Sequence, residues 1–70
     1  MTLNQLYKKQ YPNVSYIAIY DGLEKKIYAD YADEYLETHG DCEVVDSQYA
    51  KEKDVLIVEL KKIGVKYERI

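Results

Sequence analysis

The two side chains best suited to metal or nucleophilic chemistry are His39 and Cys42, which flank a glycine-containing segment. A structural zinc site uses about four ligands drawn from Cys, His and carboxylates, and Asp41 and Glu43 would complete that number. Adjacent residues rarely point at one ion, however, and Gly40 turns the chain between them. We therefore expect no metal and no cofactor, with a site shared between two copies as the remaining alternative.

A cysteine nucleophile needs a lowered thiol pKa, and the surroundings of Cys42 argue against one. Acidic residues flank it on both sides, and negative charge raises a thiol pKa. No third group is available to orient His39, and the three glycines stand too far apart to form a phosphate-binding loop. The sequence predicts a histidine at a helix end and a small apolar cysteine, and no enzyme.

Acidic residues recur at helical spacing through the middle of the chain, at Asp30, Glu34, Glu37 and Asp41. On a helix and its flanks these positions form one stripe with steps of about 4.5 to 6 Å along the axis. Negative charges at such intervals could imitate a nucleic-acid backbone. The alternative is the solvated side of an amphipathic helix.

Tyrosine is the unusual residue of this composition, with nine copies and no Phe or Trp. Tyr is enriched where proteins meet, but it also suits the rim of a thin core. Tyr31 and Tyr35 flank the acidic stripe, with Tyr28 just before them. The predicted partner-binding residues are Asp30, Tyr31, Asp33, Glu34, Tyr35, Glu37 and Asp41.

The charge is distributed unevenly, which bears on the class of partner. The net charge is −3, but residues 27–50 hold seven acids and no Lys or Arg, which gives −7 with His39 neutral. Such a surface attracts a basic protein. Direct nucleic-acid binding is disfavoured, because it needs positive charge to replace the counterions of the phosphates.

Length and composition limit the architecture to one small domain spanning residues 1–70. No apolar run approaches the length of a membrane span, and the N-terminus lacks the features of a secretory signal. A single cysteine excludes an internal disulfide and is typical of a reducing compartment. We expect a soluble, cytoplasmic protein that does not bind membranes.

The first half of the chain contains signals for a helix and a hairpin. Thr2 is a suitable N-cap for a helix over residues 3–10, which Pro12 ends. Residues 14–20 alternate with period two, as a strand does. Asp21 and Gly22 indicate a turn in which glycine accepts a positive φ, so the chain should return along residues 26–29.

The second half predicts a helix followed by two strands. Asp30 is a suitable N-cap, His39 lies in the last turn, and Gly40 follows where a left-handed residue is favoured. Ala32, Tyr35, Leu36 and His39 form the inward stripe of this helix, and Asp33, Glu34 and Glu37 face away. Strands are predicted at residues 43–49 and 54–61. The tail alternates weakly and could add a fifth edge strand, or it could simply fray.

These elements predict an α+β fold in the order α-ββ-α-ββ. In it a four-stranded antiparallel sheet has helix packed on one face.

Residues 14–60 resemble a group of short accessory proteins carried by phages and conjugative elements of Gram-positive bacteria. The resemblance lies in Asp21-Gly22, Asp33-Glu34-Tyr35-Leu36, Val44-Val45-Asp46-Ser47 and Asp54-Val55-Leu56-Ile57-Val58. It implies a non-enzymatic protein that acts on host or element machinery. Anti-CRISPR proteins and other nucleic-acid-mimicking inhibitors are one kind that such elements encode.

Three functions follow from these patterns. The leading one is a protein-binding accessory module whose acidic, Tyr-flanked helix meets a basic surface. The second is a structural homo-oligomer, at its simplest a homodimer, in which an apolar strand edge or the tail pairs across a symmetry axis. The third is a small enzyme or metal protein that uses His39 and Cys42.

Overall fold

The computed structural model describes residues 1–70 and contains two helices and six strands. In chain order they are α1 (Leu3–Gln10), β1 (Tyr16–Asp21), β2 (Lys26–Tyr31), α2 (Ala32–His39), β3 (Val44–Ala50), β4 (Val55–Leu60), β5 (Lys62–Ile63) and β6 (Lys66–Tyr67). Neither helix has the length and apolar character needed to cross a membrane.

The main sheet is mixed, so the predicted antiparallel sheet is wrong. Its strand order is β2-β1-β4-β3, and β1 runs parallel to β4, while β1–β2 and β3–β4 are antiparallel hairpins. The cause is the connection through α2, which carries the chain from one edge strand to the other. That crossover places the two hairpins side by side with their first and last strands adjacent and pointing the same way.

The tail does not extend the main sheet, so the predicted fifth edge strand is also wrong. Strands β5 and β6 pair with each other as a separate two-stranded sheet. Backbone hydrogen bonds hold the end of the chain to residues 41–43: Glu43 N donates to Glu68 O over 3.0 Å, and Ile70 N donates to Asp41 O over 2.9 Å. The tail is thus bound to the segment that follows α2.

The predicted first helix and its cap are confirmed. The hydroxyl oxygen of Thr2 accepts a hydrogen bond from Gln5 N at 3.2 Å, and Gln5 Oε1 accepts one from Thr2 N at 2.9 Å. This reciprocal arrangement satisfies two donors at the helix start. Leu3 and Leu6 are buried against the sheet, so the cap fixes the side of α1 that faces the core.

Both predicted ends of the second helix are wrong in detail. Asp30 remains in β2, and Tyr31 is the N-cap without a side-chain hydrogen bond. The first helical amide is satisfied by the chain itself, because Ala32 N donates to Ser15 O at 3.0 Å. Gly40 has φ −61° and ψ −26°, a right-handed conformation that any residue can adopt. Glycine is needed there because a Cβ would be too close to neighbouring atoms.

The core lies on one side of the main sheet. Alternate residues of β1 and β4 point toward the helices, as their period-two pattern predicts. The buried apolar cluster is Leu3, Leu6, Val14, Ile17, Ile19, Ala32, Cys42, Leu56, Val58 and Leu60. Since both helices contribute to this cluster, the opposite face of the sheet is left without a covering layer.

Candidate functional site

The outer side of α2 carries the acidic residues that the sequence places there. Asp33, Glu34 and Glu37 are exposed, while Ala32 is buried and the remaining inward positions are half-buried. The predicted amphipathic pattern of this helix is therefore confirmed. We call Asp33, Glu34 and Glu37 the acidic face of α2.

No side chain of the protein neutralises the acidic face of α2. The ion pairs join Lys61 to Glu43 and Glu68, Lys62 to Asp21, and Arg69 to Asp41. Within the acidic face, Asp33 Oδ1 accepts a hydrogen bond from Glu34 N at 3.0 Å, which is a local backbone contact. Its three carboxylates thus have no cationic partner in the chain.

The two outer members of the predicted stripe are separated from α2. Asp30 lies in β2, where its Oδ1 accepts a hydrogen bond from Tyr31 N at 2.8 Å. Asp41 follows the helix and is paired with Arg69, which arrives from the C-terminal tail. Of these two residues only Asp41 is neutralised within the chain, whereas Asp30 has no ion-pair partner but lies outside the helix.

The tyrosines predicted to flank the acidic residues are divided between two sides of the sheet. Tyr31 stacks on Tyr16 with ring centroids 5.4 Å apart, on the face that carries no helix. Tyr35 is half-buried on the core side, and its ring meets His39 edge-on at 5.5 Å. Burial raises the pKa of Tyr35. Neither ring therefore lies exposed beside all three carboxylates of the acidic face of α2.

His39 and Cys42 are built into the packing between α2 and the tail. The His39 ring lies between Tyr35 and Tyr67, and its Nδ1 is 2.7 Å from the Thr38 hydroxyl. Burial, with a smaller contribution from the nearby guanidinium of the tail, lowers the pKa of His39. Cys42 is fully buried, and that burial raises the pKa of its thiol. No three His, Cys, Asp or Glu side chains converge on a point where a metal ion could be held.

Asp21, the last residue of β1, has a buried carboxylate, although the sequence predicted for it only a role in the turn. Asp21 is 4% exposed, and its Oδ2 accepts a hydrogen bond from Lys62 Nζ at 2.6 Å. Its Oδ1 accepts from Leu23 N and Glu24 N, so the predicted capping by Asp21 is confirmed. The positive φ of this turn occurs at Lys25, with a value of 56°, and its prediction at Gly22 is wrong.

The pKa of Asp21 is lowered mainly by the hydrogen bond from Lys62 and next by the hydrogen bond from the Glu24 amide. This carboxylate joins the β1–β2 turn to the C-terminal hairpin and serves the fold.

The side of the sheet without helices forms a second candidate surface, which we call the open face. It consists of three rows that run across the strands from β2 to β3. The first two rows are Tyr31-Tyr16-Val55-Ala50 and Ala29-Ala18-Ile57-Gln48. The third consists of the pairs Ile27-Tyr20 and Glu59-Asp46, which lie beyond the last paired residues of β1 and β4. Most of these side chains are apolar. The alternation of Tyr16, Ala18 and Tyr20 against Ile17 and Ile19 was the sequence signal for this surface.

Comparisons of the chain with protein-family models, with curated proteins and with solved structures find no match. The geometry offers two surfaces that carry groups without partners, the acidic face of α2 and the open face. They lie on opposite sides of the sheet because both helices pack against the same side.

Proposed function

We propose that the protein is a non-enzymatic, cytoplasmic protein-binding module that docks the acidic face of α2 on a basic surface of its partner. The observation that supports this proposal is the absence of any intramolecular cation at Asp33, Glu34 and Glu37. Most Lys and Arg residues of the chain form no ion pair, and the ion pairs that do form lie at the β1–β2 turn and along the tail.

Local stability of the helix accounts for part of this acidity. Asp33 and Glu34 lie in the first turn, where the helix dipole favours negative charge. Glu37 lies beyond that turn and repels Glu34 one turn earlier. A basic partner would supply the missing cations at all three positions. Because exposed charges act over roughly 8 to 10 Å at physiological salt, the same face would also speed the encounter.

The size of the acidic face sets the kind of basic surface that fits it. Asp33 to Glu37 covers four residue steps, about 6 Å of helix axis. Phosphates on one strand of a duplex are spaced by about 3.4 Å along the duplex axis, so this length corresponds to about two phosphate steps, which join three phosphates. A small cluster of Lys or Arg on a nucleic-acid-binding protein is a suitable target. The resemblance to accessory proteins of phages and mobile elements supports the same class, in which the module would act as an inhibitor.

Charge reversal on the helix tests the proposal. The double variant Glu34→Lys/Glu37→Lys is compared with Glu52→Lys, which makes the same kind of change at an exposed residue of the β3–β4 turn that forms no ion pair. Tagged chains are used to capture partners from the native host cells. Affinity for each captured protein is then measured by calorimetry at about 50 and about 200 mM salt, which brackets the physiological screening range.

The expected result is a loss of at least about tenfold in affinity for the double variant, since two attractive contacts of up to about 1 kcal/mol each become repulsive. Its binding should also lose the salt dependence seen with the wild type. Glu52→Lys should bind as the wild type does. Equal affinity of wild type and double variant, or an equal loss with Glu52→Lys, would refute a site on α2.

A further inference from the structure

The two outer strands of the main sheet carry backbone groups that no other strand of the protein pairs. Strands β2 and β3 lie at the two ends of the strand order. All six residues of β2 are exposed, with Ile27 at 58% and Tyr31 at 60%, and Val45 and Tyr49 are exposed on β3. An apolar edge with free N–H and C=O groups is a template on which another chain can add a strand. Both edges therefore need protection.

At the edge formed by β2, an aspartate covers an outward-pointing amide. In an antiparallel pair, residues whose N–H and C=O groups point to the neighbouring strand alternate with residues whose groups point away. Ala32 N donates to Ser15 O at 3.0 Å, so Ala32 and every second residue before it point toward β1. Tyr31 consequently points its backbone groups away from the sheet. Its N–H donates to Asp30 Oδ1 at 2.8 Å, so a carboxylate occupies the last donor of this edge.

The opposite edge, formed by β3, has the same arrangement. Tyr16 N donates to Asp54 O at 3.3 Å, so the even-numbered residues of β4 point toward β1 and the odd-numbered ones toward β3. Asp46, which is the partner of Glu59, therefore points its backbone groups toward β4, and Ser47 points its own outward. Ser47 N donates to Asp46 Oδ1 at 2.9 Å. A carboxylate thus occupies an outward donor in the middle of this edge.

Both carboxylates oppose the addition of a further strand. A hydrogen bond from a neighbouring backbone N–H to an aspartate competes with the hydrogen bonds of a sheet. Neither Asp30 nor Asp46 forms an ion pair, so each also keeps its negative charge at the edge. An incoming strand would have to displace the carboxylate from the amide and then lie against its charge. The shift of register between Val44 and Asp46 interrupts the regular pairing of β3 as well.

We propose that Asp30 and Asp46 protect the two edges of the main sheet from strand addition and so keep the chain a monomer. The role explains why Asp30 carries a carboxylate although it lies outside α2, and why each outer strand has one aspartate beside an outward amide. It involves no residue of the acidic face of α2. The protection of the edges and the proposed binding of a basic partner are therefore independent of each other.

The proposal is tested by sedimentation velocity of the purified chain from about 10 µM to about 1 mM. Wild type should be a monomer throughout. The double variant Asp30→Ala/Asp46→Ala should self-associate, with a dissociation constant lowered at least about tenfold, from above about 1 mM to below about 100 µM. The matched control is Asp33→Ala, which also removes one acid and the same kind of contact, since Asp33 Oδ1 accepts from Glu34 N at 3.0 Å. It lies on α2 and should leave the chain a monomer.

Hydrogen exchange followed by NMR locates the association. The amides of Ile27 and Tyr49 point outward from β2 and β3 by the same alternation, and in the wild type they should exchange rapidly. In the associated double variant their exchange should slow at least about tenfold, because a new strand supplies them with acceptors. The amides of α2 should exchange as in the wild type. Each single variant is measured too, so that loss of fold after one substitution leaves the other edge as a test.

Several results would overturn the proposal. They are an oligomeric wild type, folded variants at both edges that stay monomeric at every concentration, and association of Asp33→Ala as strong as that of the double variant. The last of these would show that lost charge alone drives association. Association of the double variant without slower exchange of the Ile27 or Tyr49 amide would also overturn it, because the chains would then meet away from the sheet edges.

Discussion

Substitution of Gly40 by alanine should destabilise the protein although the backbone there is ordinary. A Cβ at this position would lie inside van der Waals contact of the Leu36 carbonyl oxygen and of the Asn4 side chain, with Asn4 Cγ at 2.6 Å. The crowding arises because the start of α1 is tied to this segment. Asn4 N donates to Gly40 O over 2.9 Å, and Leu3 N donates to Cys42 O over 3.0 Å.

The size of the effect follows from three opposing contributions. Alanine at a right-handed position lowers the entropy of the unfolded chain, which stabilises by about 0.4 to 1 kcal/mol. Overpacking against a backbone oxygen costs about 1 to 3 kcal/mol. Displacing α1 weakens the hydrogen bond to Gly40 O, which costs about 1 kcal/mol more. The net loss is about 2 kcal/mol, which in a chain of this size lowers the melting temperature by roughly 10 °C.

Thermal and urea unfolding of four variants would check this reasoning. Gly22→Ala is the control, because a Cβ there meets Tyr20 at an ordinary 3.7 Å and its φ is not positive. Asn4→Ala in the Gly40→Ala background should recover part of the loss. Gly40→Asn should be no better than Gly40→Ala. If Gly40 were needed for a left-handed backbone conformation, Gly40→Asn would be more stable than Gly40→Ala, because asparagine tolerates that conformation. A stable Gly40→Asn variant would therefore refute steric crowding as the cause.

Two further predictions concern the packing of the tail on α2. Burial lowers the pKa of His39 from 6.5, so its contribution to stability is complete above pH 6.5 and is lost as the pH falls through the lowered value. The free energy of unfolding should therefore decrease between about pH 7.5 and pH 5 by more in the wild type than in His39→Gln, and an identical pH profile would show that the histidine is not buried by Tyr67. The fully buried Cys42, whose thiol pKa is raised, should react with Ellman's reagent at pH 8 at least about 100-fold more slowly in the native protein than in urea. A fast native reaction would mean that the tail does not cover the thiol.

Local sequence patterns were sufficient for the two helices and for the four strands of the main sheet. The cap at Thr2, the period-two alternation of β1 and β4 and the inward stripe of α2 each depend on residues a few positions apart. All appear in the structure within one or two residues of their expected limits. The capping role of Asp21 belongs to the same class, because its acceptors serve amides two and three residues later.

The relations between distant segments could not be predicted in this way. Whether two hairpins meet through parallel or antiparallel strands depends on where α2 crosses, and no local periodicity records that. Gly40 looked like a left-handed helix end because glycine commonly serves there, whereas its cause is the approach of Asn4, 36 positions earlier in the chain. The neutralisation of Asp41 has the same character, since Arg69 reaches it from the far end of the sequence.

The crossover through α2 also bears on both candidate surfaces. It places α2 on the same side of the sheet as α1, so the acidic face of α2 points outward there and the opposite side of the sheet stays bare. The parallel register places Ala18 of β1 beside Ile57 of β4 on that bare side. A partner bound to the acidic face of α2 would therefore leave the open face uncovered.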